Sequence, residues 1–148
     1  HGDDLLYSSG TTGRPKGIKP PLPPIAVDEP GYLYPSVFGA VYDFDDSMVY
    51  LSPAPVYHAA PLRFVGAIHT FGGTVVMMER FDAEAALAAI QTHRVTHTQM
   101  VPTMFVRMLK LPEDVRTSYD VSSLRCVIHA AAPCPVDVKQ QMIDWFGR

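Results

Sequence analysis

Eleven residues near the start of the chain, Tyr7 to Gly17 (YSSGTTGRPKG), concentrate small side chains, hydroxyls and one lysine directly behind the short apolar run Leu5-Leu6-Tyr7. Glycines let a backbone approach an anion closely. Successive N–H groups in such a turn form a concave nest, hydroxyls add donors, and a lysine brings a point charge. Ser8, Ser9, Gly10, Thr11, Thr12, Gly13, Lys16 and Gly17 are therefore candidate phosphate-binding residues. The loop is not a Walker P-loop, which needs GxxxxGK followed by a hydroxyl, because Gly13 is followed by Arg14-Pro15 and Lys16 by Gly17. A GxGxxG dinucleotide fingerprint is absent as well.

Two further stretches carry candidate chemistry. Pro55-Val56-Tyr57-His58-Ala59-Ala60-Pro61 places a histidine behind an aromatic residue in a turn between prolines, and Ala130-Ala131-Ala132-Pro133 is a turn of small residues. Taken alone, His58 reads as a core or capping histidine, and the alanine turn as a tight strand-to-helix connection. His93 and His97 lack the glutamate of HExxH and read as surface histidines. His69, in an apolar helical pattern, reads as a core residue. Met77-Met78 and the Met100, Met104, Met108 spacing read as packing, with a lipid-facing wall as the alternative use of methionine's flexibility. Arg107 and Lys110 coat a helix. Cys126 and Cys134 have no zinc-type spacing and read as reduced. No metal-binding set is identified among the protein's side chains.

The elements that must position these residues follow from pattern. Ile18 to Gly31 is interrupted by Pro20, Pro21, Pro23, Pro24 and Pro30 and reads as a surface segment (18–31). Tyr32 to Phe44 predicts a buried helix starting near Pro35, and Met48 to Leu51 a strand. Leu62 to Phe71 predicts a helix closed at Gly72-Gly73, and Thr74 to Met78 a strand buried on both faces. Asp82 caps a helix over Ala83 to His93, with Glu84 in its first turn. Thr96 to Val101 is a strand, and Pro102 opens a helix through Lys110. Leu111 to Val121 is a loop with a turn of helix, Leu124 to His129 a strand, and Val136 to Phe146 an amphipathic helix. With the run before the opening loop, five strands alternate with helices. That alternation predicts one α/β unit over residues 1–148, with a mainly parallel five-stranded sheet carrying helices on its faces. Ligands of open parallel sheets bind beyond the carboxyl ends of strands, where all three motifs are expected to meet.

Composition bounds the function. Apolar residues at 47% and charged residues at 18% suit a globular domain, and a net charge of -3 offers no basic footprint for nucleic acid. No apolar run approaches the roughly 18 residues of a spanning helix, so the chain is expected to be cytoplasmic. It begins His1-Gly2-Asp3 without Met, as a fragment or processed product does.

The YSSGTTGRPKG loop resembles the signature loop of the adenylate-forming (AMP-binding) superfamily. The aromatic-His turn at Tyr57-His58, Val101-Pro102-Thr103, the Leu-Arg-Cys-Val run at 124–127 and the Ala-Ala-Pro-Cys-Pro ending at 131–135 are most similar to its fatty acyl-CoA synthetases. The resemblance runs from Asp4 almost to the last residue. It implies an internal piece of the large N-terminal domain of an enzyme that adenylates a fatty acid with ATP and Mg²⁺ and passes the acyl group to coenzyme A. Ser8, Ser9, Thr11, Thr12 and Lys16 would hold the β- and γ-phosphates. Tyr57, His58, Ala130, Ala131, Ala132 and Pro133 would line the adenylate and acyl pocket, His58 positioning the carboxylate and gating the acyl tunnel rather than acting as a base. The resemblance further implies that the remainder of the enzyme is the packing partner, that peripheral membrane contact is open to the parent, and that this stretch alone does not turn over. Other readings are a stand-alone nucleotide-binding module, a fatty acyl-AMP ligase or another adenylate-forming enzyme, and a Ser-Lys hydrolase using Ser8 or Ser9 with Lys16.

Overall fold

The residues flanking the opening loop pair with each other. In the computed structural model, which describes residues 5–8, 13–22, 24, 26 and 33–147, β1 (Leu6–Ser8) and β2 (Lys16–Ile18) form a two-stranded antiparallel sheet with Leu6 opposite Ile18, Tyr7 opposite Gly17 and Ser8 opposite Lys16. Gly13, at φ 91°, adopts a backbone conformation that other residues reach only with strain. A Cβ at Gly17 would stand 3.2 Å from the Tyr7 ring, close enough that the exposed ring would have to shift. The pair belongs to a unit spanning His1–Leu33, distinct by its contacts from a second unit, Tyr34–Arg148; sequence alternation predicts one. The expected first strand of the parallel sheet is thus half of a hairpin. The described part of the Pro-rich segment agrees with a surface course, since Lys19, Pro21, Leu22, Pro24 and Ala26 are exposed.

In the second unit the alternation holds: α1 (Leu33–Tyr42), β3 (Val49–Ser52), α2 (Ala59–Thr70), β4 (Thr74–Met77), α3 (Ala83–His93), β5 (His97–Met100), α4 (Pro102–Leu109), α5 (Glu113–Thr117), β6 (Cys126–His129) and α6 (Val136–Phe146). The strands make a four-stranded, all-parallel sheet in the order β4-β3-β5-β6. Strand alternation sorts the core into two layers. On one face Tyr50 and Ile128 pack with Phe44, Phe64, Ala67 and Ile68, with α1 contributing Phe38 and Tyr42. On the other, Leu51 packs against Ala86 and Ile90 of α3, and Met100 joins Leu87, Met104, Phe105, Met108, Val138 and Met142 from α3, α4 and α6. The Met100, Met104 and Met108 triplet is core, as its spacing suggests.

Local chemistry fixes the boundaries. The Asp82 carboxylate accepts a hydrogen bond from the Ala85 N–H at 2.9 Å and starts α3, which ends on Arg94 in the left-handed region at φ 52°. Gly72, at φ 81°, follows α2. Three further expectations are corrected. Thr74 to Met77 is not buried on both faces; as the outer strand of the sheet it leaves Thr74 and Met77 exposed. His69 is exposed rather than core, because its side of α2 turns away from the sheet. His97 is buried rather than on the surface, because it begins the inner strand β5.

Candidate functional site

Strand order decides where a crevice opens. From β3 the chain passes through α2, on the face of Tyr50, to β4 on one side; from β5 it passes through α4, on the opposite face, to β6 on the other. The carboxyl ends of β3 and β5 are therefore the topological switch point, where connections diverge and leave room for a ligand. The Ser52–Pro61 connection and Val101-Pro102 stand at this edge.

His58 sits at that edge on the first turn of α2. A tight turn brings its N–H to within 3.2 Å of the Pro55 carbonyl, and its own carbonyl accepts from the Leu62 N–H at 3.1 Å. Its φ and ψ of -87° and 149° make it the N-cap residue by backbone, while its side chain makes no capping bond. The ring is exposed and lies 4.4 Å from the exposed Tyr57 ring, tilted by 50°. His58 is thus neither a core nor a side-chain-capping histidine; the turn holds it out to solvent.

Ala130–Pro133 leaves β6 at the same edge. The Ala130 N–H donates to the Met100 carbonyl at 3.2 Å, tying the turn to the end of β5. Ala131 then adopts φ 72°, and Ala131, Ala132 and Pro133 are all exposed. A left-handed alanine carries strain that glycine does not. Ala131→Gly is expected to raise stability by about 0.5–1 kcal/mol, the strain relieved exceeding the entropy added to the unfolded chain; urea denaturation of the two proteins checks it, and a loss of stability contradicts it.

The hairpin of the first unit presents Gly13, Arg14, Pro15, Lys16 and Gly17, all exposed, with Lys16 at the register position of Ser8. Ser9, Gly10, Thr11 and Thr12 lie outside the described residues. The structure thus groups Tyr57-His58 with Ala130–Pro133 along one sheet edge of the second unit, and holds Lys16 on the hairpin of the first. A cavity of about 290 Å³ runs between β6 and α6, lined by Phe105, Val127, His129, Lys139 and Met142 among others, and includes none of the nominated residues. Among the described residues no three or more His, Cys, Asp or Glu side chains cluster as metal ligands, and no helix is long and apolar enough to cross a membrane.

Comparison with known proteins adds the decisive observation: the AMP-binding enzyme family matches residues 4–148. This chain belongs to that family. Over 146 residues it is 35% identical to a 4-coumarate–CoA ligase-like protein of Arabidopsis thaliana, covering 95% of this chain and 25% of the relative. It is 30% identical to a mitochondrial medium-chain acyl-CoA ligase of Danio rerio, covering 97% of this chain and 23% of the relative. The N-terminal domain of FACL13 from Mycobacterium tuberculosis superposes with a TM-score of 0.71 at 27% identity, over 92% of this chain and 32% of that one. The chain thus spans about a quarter of the length of the curated relatives it matches.

Two features of this chain escape pattern reading. The β1–β2 pairing was signalled only by two short runs flanking a glycine-bearing turn. The switch point depends on strand order, which no local signal carries.

Proposed function

We infer that the protein bearing this chain is an AMP-forming acid–thiol ligase: it joins a carboxylic acid to ATP and then to coenzyme A. In the first step a carboxylate oxygen attacks the α-phosphorus of ATP, forming the acyl adenylate and expelling pyrophosphate. In the second the thiol sulfur attacks the acyl carbonyl carbon, the thioester forms and AMP leaves. MgATP enters as substrate, its metal ion travelling with the phosphates.

The observation that carries this reading is the family match across residues 4–148, which includes the whole YSSGTTGRPKG loop. Lys16, exposed on the hairpin, supplies a positive charge to the β- and γ-phosphates as charge moves onto pyrophosphate. Ser8, Ser9, Thr11, Thr12 and the glycine-bearing backbone add donors. At the sheet edge, His58 orients the carboxylate by donating a hydrogen bond, and Ala131, Ala132 and Pro133 leave the backbone open to the adenylate. The acid we assign is a medium- or long-chain fatty acid, supported by the relative named for medium-chain acyl groups.

Pyrophosphate exchange into ATP by the full-length protein, run against octanoate, palmitate and 4-coumarate, tests both levels. Exchange with a fatty acid is expected. Exchange with 4-coumarate alone would leave the ligase reading standing and overturn the fatty acid, and no exchange with any acid would count against the ligase. In the same protein, Lys16→Ala is expected to weaken MgATP binding by about 10- to 100-fold through loss of a charge-assisted contact, read by calorimetry. Unchanged affinity would remove Lys16 from the phosphate site.

A further inference from the structure

His97 is a buried titratable group that the proposed reaction does not use. It is 1% exposed and opens β5, on the edge of the sheet opposite the switch point. Its Nε2 stands 3.1 Å from the Tyr42 carbonyl at the end of α1. A carbonyl only accepts, so Nε2 carries the hydrogen and donates it. Nδ1, 2.8 Å from Thr96 Oγ1, then accepts from the hydroxyl in the neutral ring, a tautomer assigned from this network. Thr96 Oγ1 also accepts from the Val49 N–H at 3.0 Å. One imidazole and its neighbouring hydroxyl therefore join α1, β3 and β5, with the Phe44 ring edge-on to the imidazole at 5.5 Å.

The turn held this way is otherwise packed through rings, Tyr42 and Phe44 meeting Phe64 at 5.8 and 6.4 Å, and tied by the Phe44 N–H to the Gly39 carbonyl at 3.2 Å. Asp43, directly after α1, is in the left-handed region at φ 56°. The ion pairs from Arg125 to Asp43 (3.3 Å) and Asp45 (3.1 Å) are exposed to solvent and of the kind that contributes little.

We propose that His97 is an acid-sensitive latch: the neutral imidazole pins the last turn of α1 to the starts of β3 and β5, and protonation frees that turn. Protonation does not reduce the number of hydrogen bonds. Nδ1–H would donate to Thr96 Oγ1, whose hydrogen turns to the Val49 carbonyl 3.2 Å away. What changes is a charge placed in the core. The groups facing the ring are Asp43 and Asp45 in the loop after α1, Arg125 ahead of β6, and the register partners Tyr50 and Cys126. Burial pushes the Tyr50 hydroxyl and the Cys126 thiol up, so both stay neutral. For the imidazole, burial is the largest effect and opposes the charge. The Tyr42 carbonyl and the two carboxylates favour it and Arg125 opposes it, and the balance lies below the ordinary histidine value. A folded-state value below the unfolded one gives stability that is complete above about pH 6.5 and is lost as pH falls from there through the folded value.

Hydrogen exchange read by mass spectrometry on the full-length protein tests the latch. After correction for intrinsic rates, peptides covering α1 are expected to exchange faster at about pH 5.5 than at about pH 7.5, by up to about tenfold, the limit for one proton bound by the opened form alone. Peptides covering α3 serve as the internal reference. In His97→Gln, which has no imidazole to charge, the step in α1 is expected to vanish. Equal acceleration of α1 and α3, or an unchanged step in His97→Gln, would overturn the proposal. If that variant does not fold, an NMR titration of the wild-type imidazole decides: protonation of His97 with no coincident loss of α1 protection would also overturn it.

Discussion

Phe64→Ala is expected to cost about 3–5 kcal/mol, the range for removing a buried aromatic ring whose site cannot collapse. Phe64 is 4% exposed and is the hub of an aromatic layer: its ring stacks on Phe38 at 4.7 Å and Tyr50 at 6.1 Å, and meets Tyr42 at 5.8 Å and Phe44 at 6.4 Å. Those four residues come from α1, the loop after it and β3, while Phe64 itself is on α2. One truncation therefore loosens both helices from the same face of the sheet. Rings on several sides also hold the void open, since none can rotate into it without abandoning its own contacts. Phe64→Leu, which refills much of the space, is expected to lose about half as much. Chemical denaturation of the three proteins distinguishes the cases. A loss below about 1 kcal/mol for Phe64→Ala would mean that the layer can repack.

Gly73→Val should cost about 2–3 kcal/mol by overpacking. A Cβ on Gly73 would stand 2.8 Å from Met48 Cγ and 3.0 Å from Ile68 Cγ2. Met48 and Ile68 are buried at 1% and 0% exposure and have no free volume into which to retreat. The neighbouring Gly72 has a different constraint. Its φ of 81° demands the left-handed region, but the nearest atom to an added Cβ, on Asp46, is 3.6 Å away. Asparagine tolerates that backbone, so Gly72→Asn should lose less than about 1 kcal/mol while Gly73→Asn loses more than twice that. Thermal melts of the two asparagine variants measure the contrast, and equal losses would show that the Met48–Ile68 contact is not what requires glycine at 73.

Much of the fold was legible because local signals agreed with tertiary packing. Asp82, Glu84 and the apolar run behind them place α3 at its observed limits, and Pro102 marks the start of α4. What pattern could not deliver was position within the sheet. An apolar run such as Thr74 to Met77 looks the same on an edge as in the middle, and only the order β4-β3-β5-β6 makes it an edge. The reverse holds at His97, which reads as a surface histidine and begins the buried strand β5, His97–Met100. The strand is internal, and its polar side chains find partners there: His97 in Tyr42 and Thr96, Thr98 Oγ1 in the Leu51 carbonyl at 2.9 Å, and Gln99 Nε2 in the Met100 carbonyl at 3.0 Å. Burial of polar side chains is governed by available partners rather than by hydropathy. For the site, the residues could be nominated from their types, and the carboxyl-edge placement of His58 and Ala130–Pro133 was anticipated. The outward presentation of His58 was not, because whether a side chain or only a backbone caps a helix depends on a χ angle that spacing does not set.

The strand order also carries a history of assembly. β3 pairs with β4 through the α2 crossover, Val49 meeting Thr74, but its other edge meets β5 through contacts 47 residues apart along the chain. Closing the longer loop costs more chain entropy and follows only after α3 has been laid across the sheet. The β3–β4 crossover is therefore expected to form early in folding and the β3–β5 seam late. Because the switch-point crevice is bounded by both β3 and β5, it exists only once that seam has closed. An early folding species with ample helix would have no place for a ligand, and ligand binding during refolding would time the last pairing rather than the first collapse.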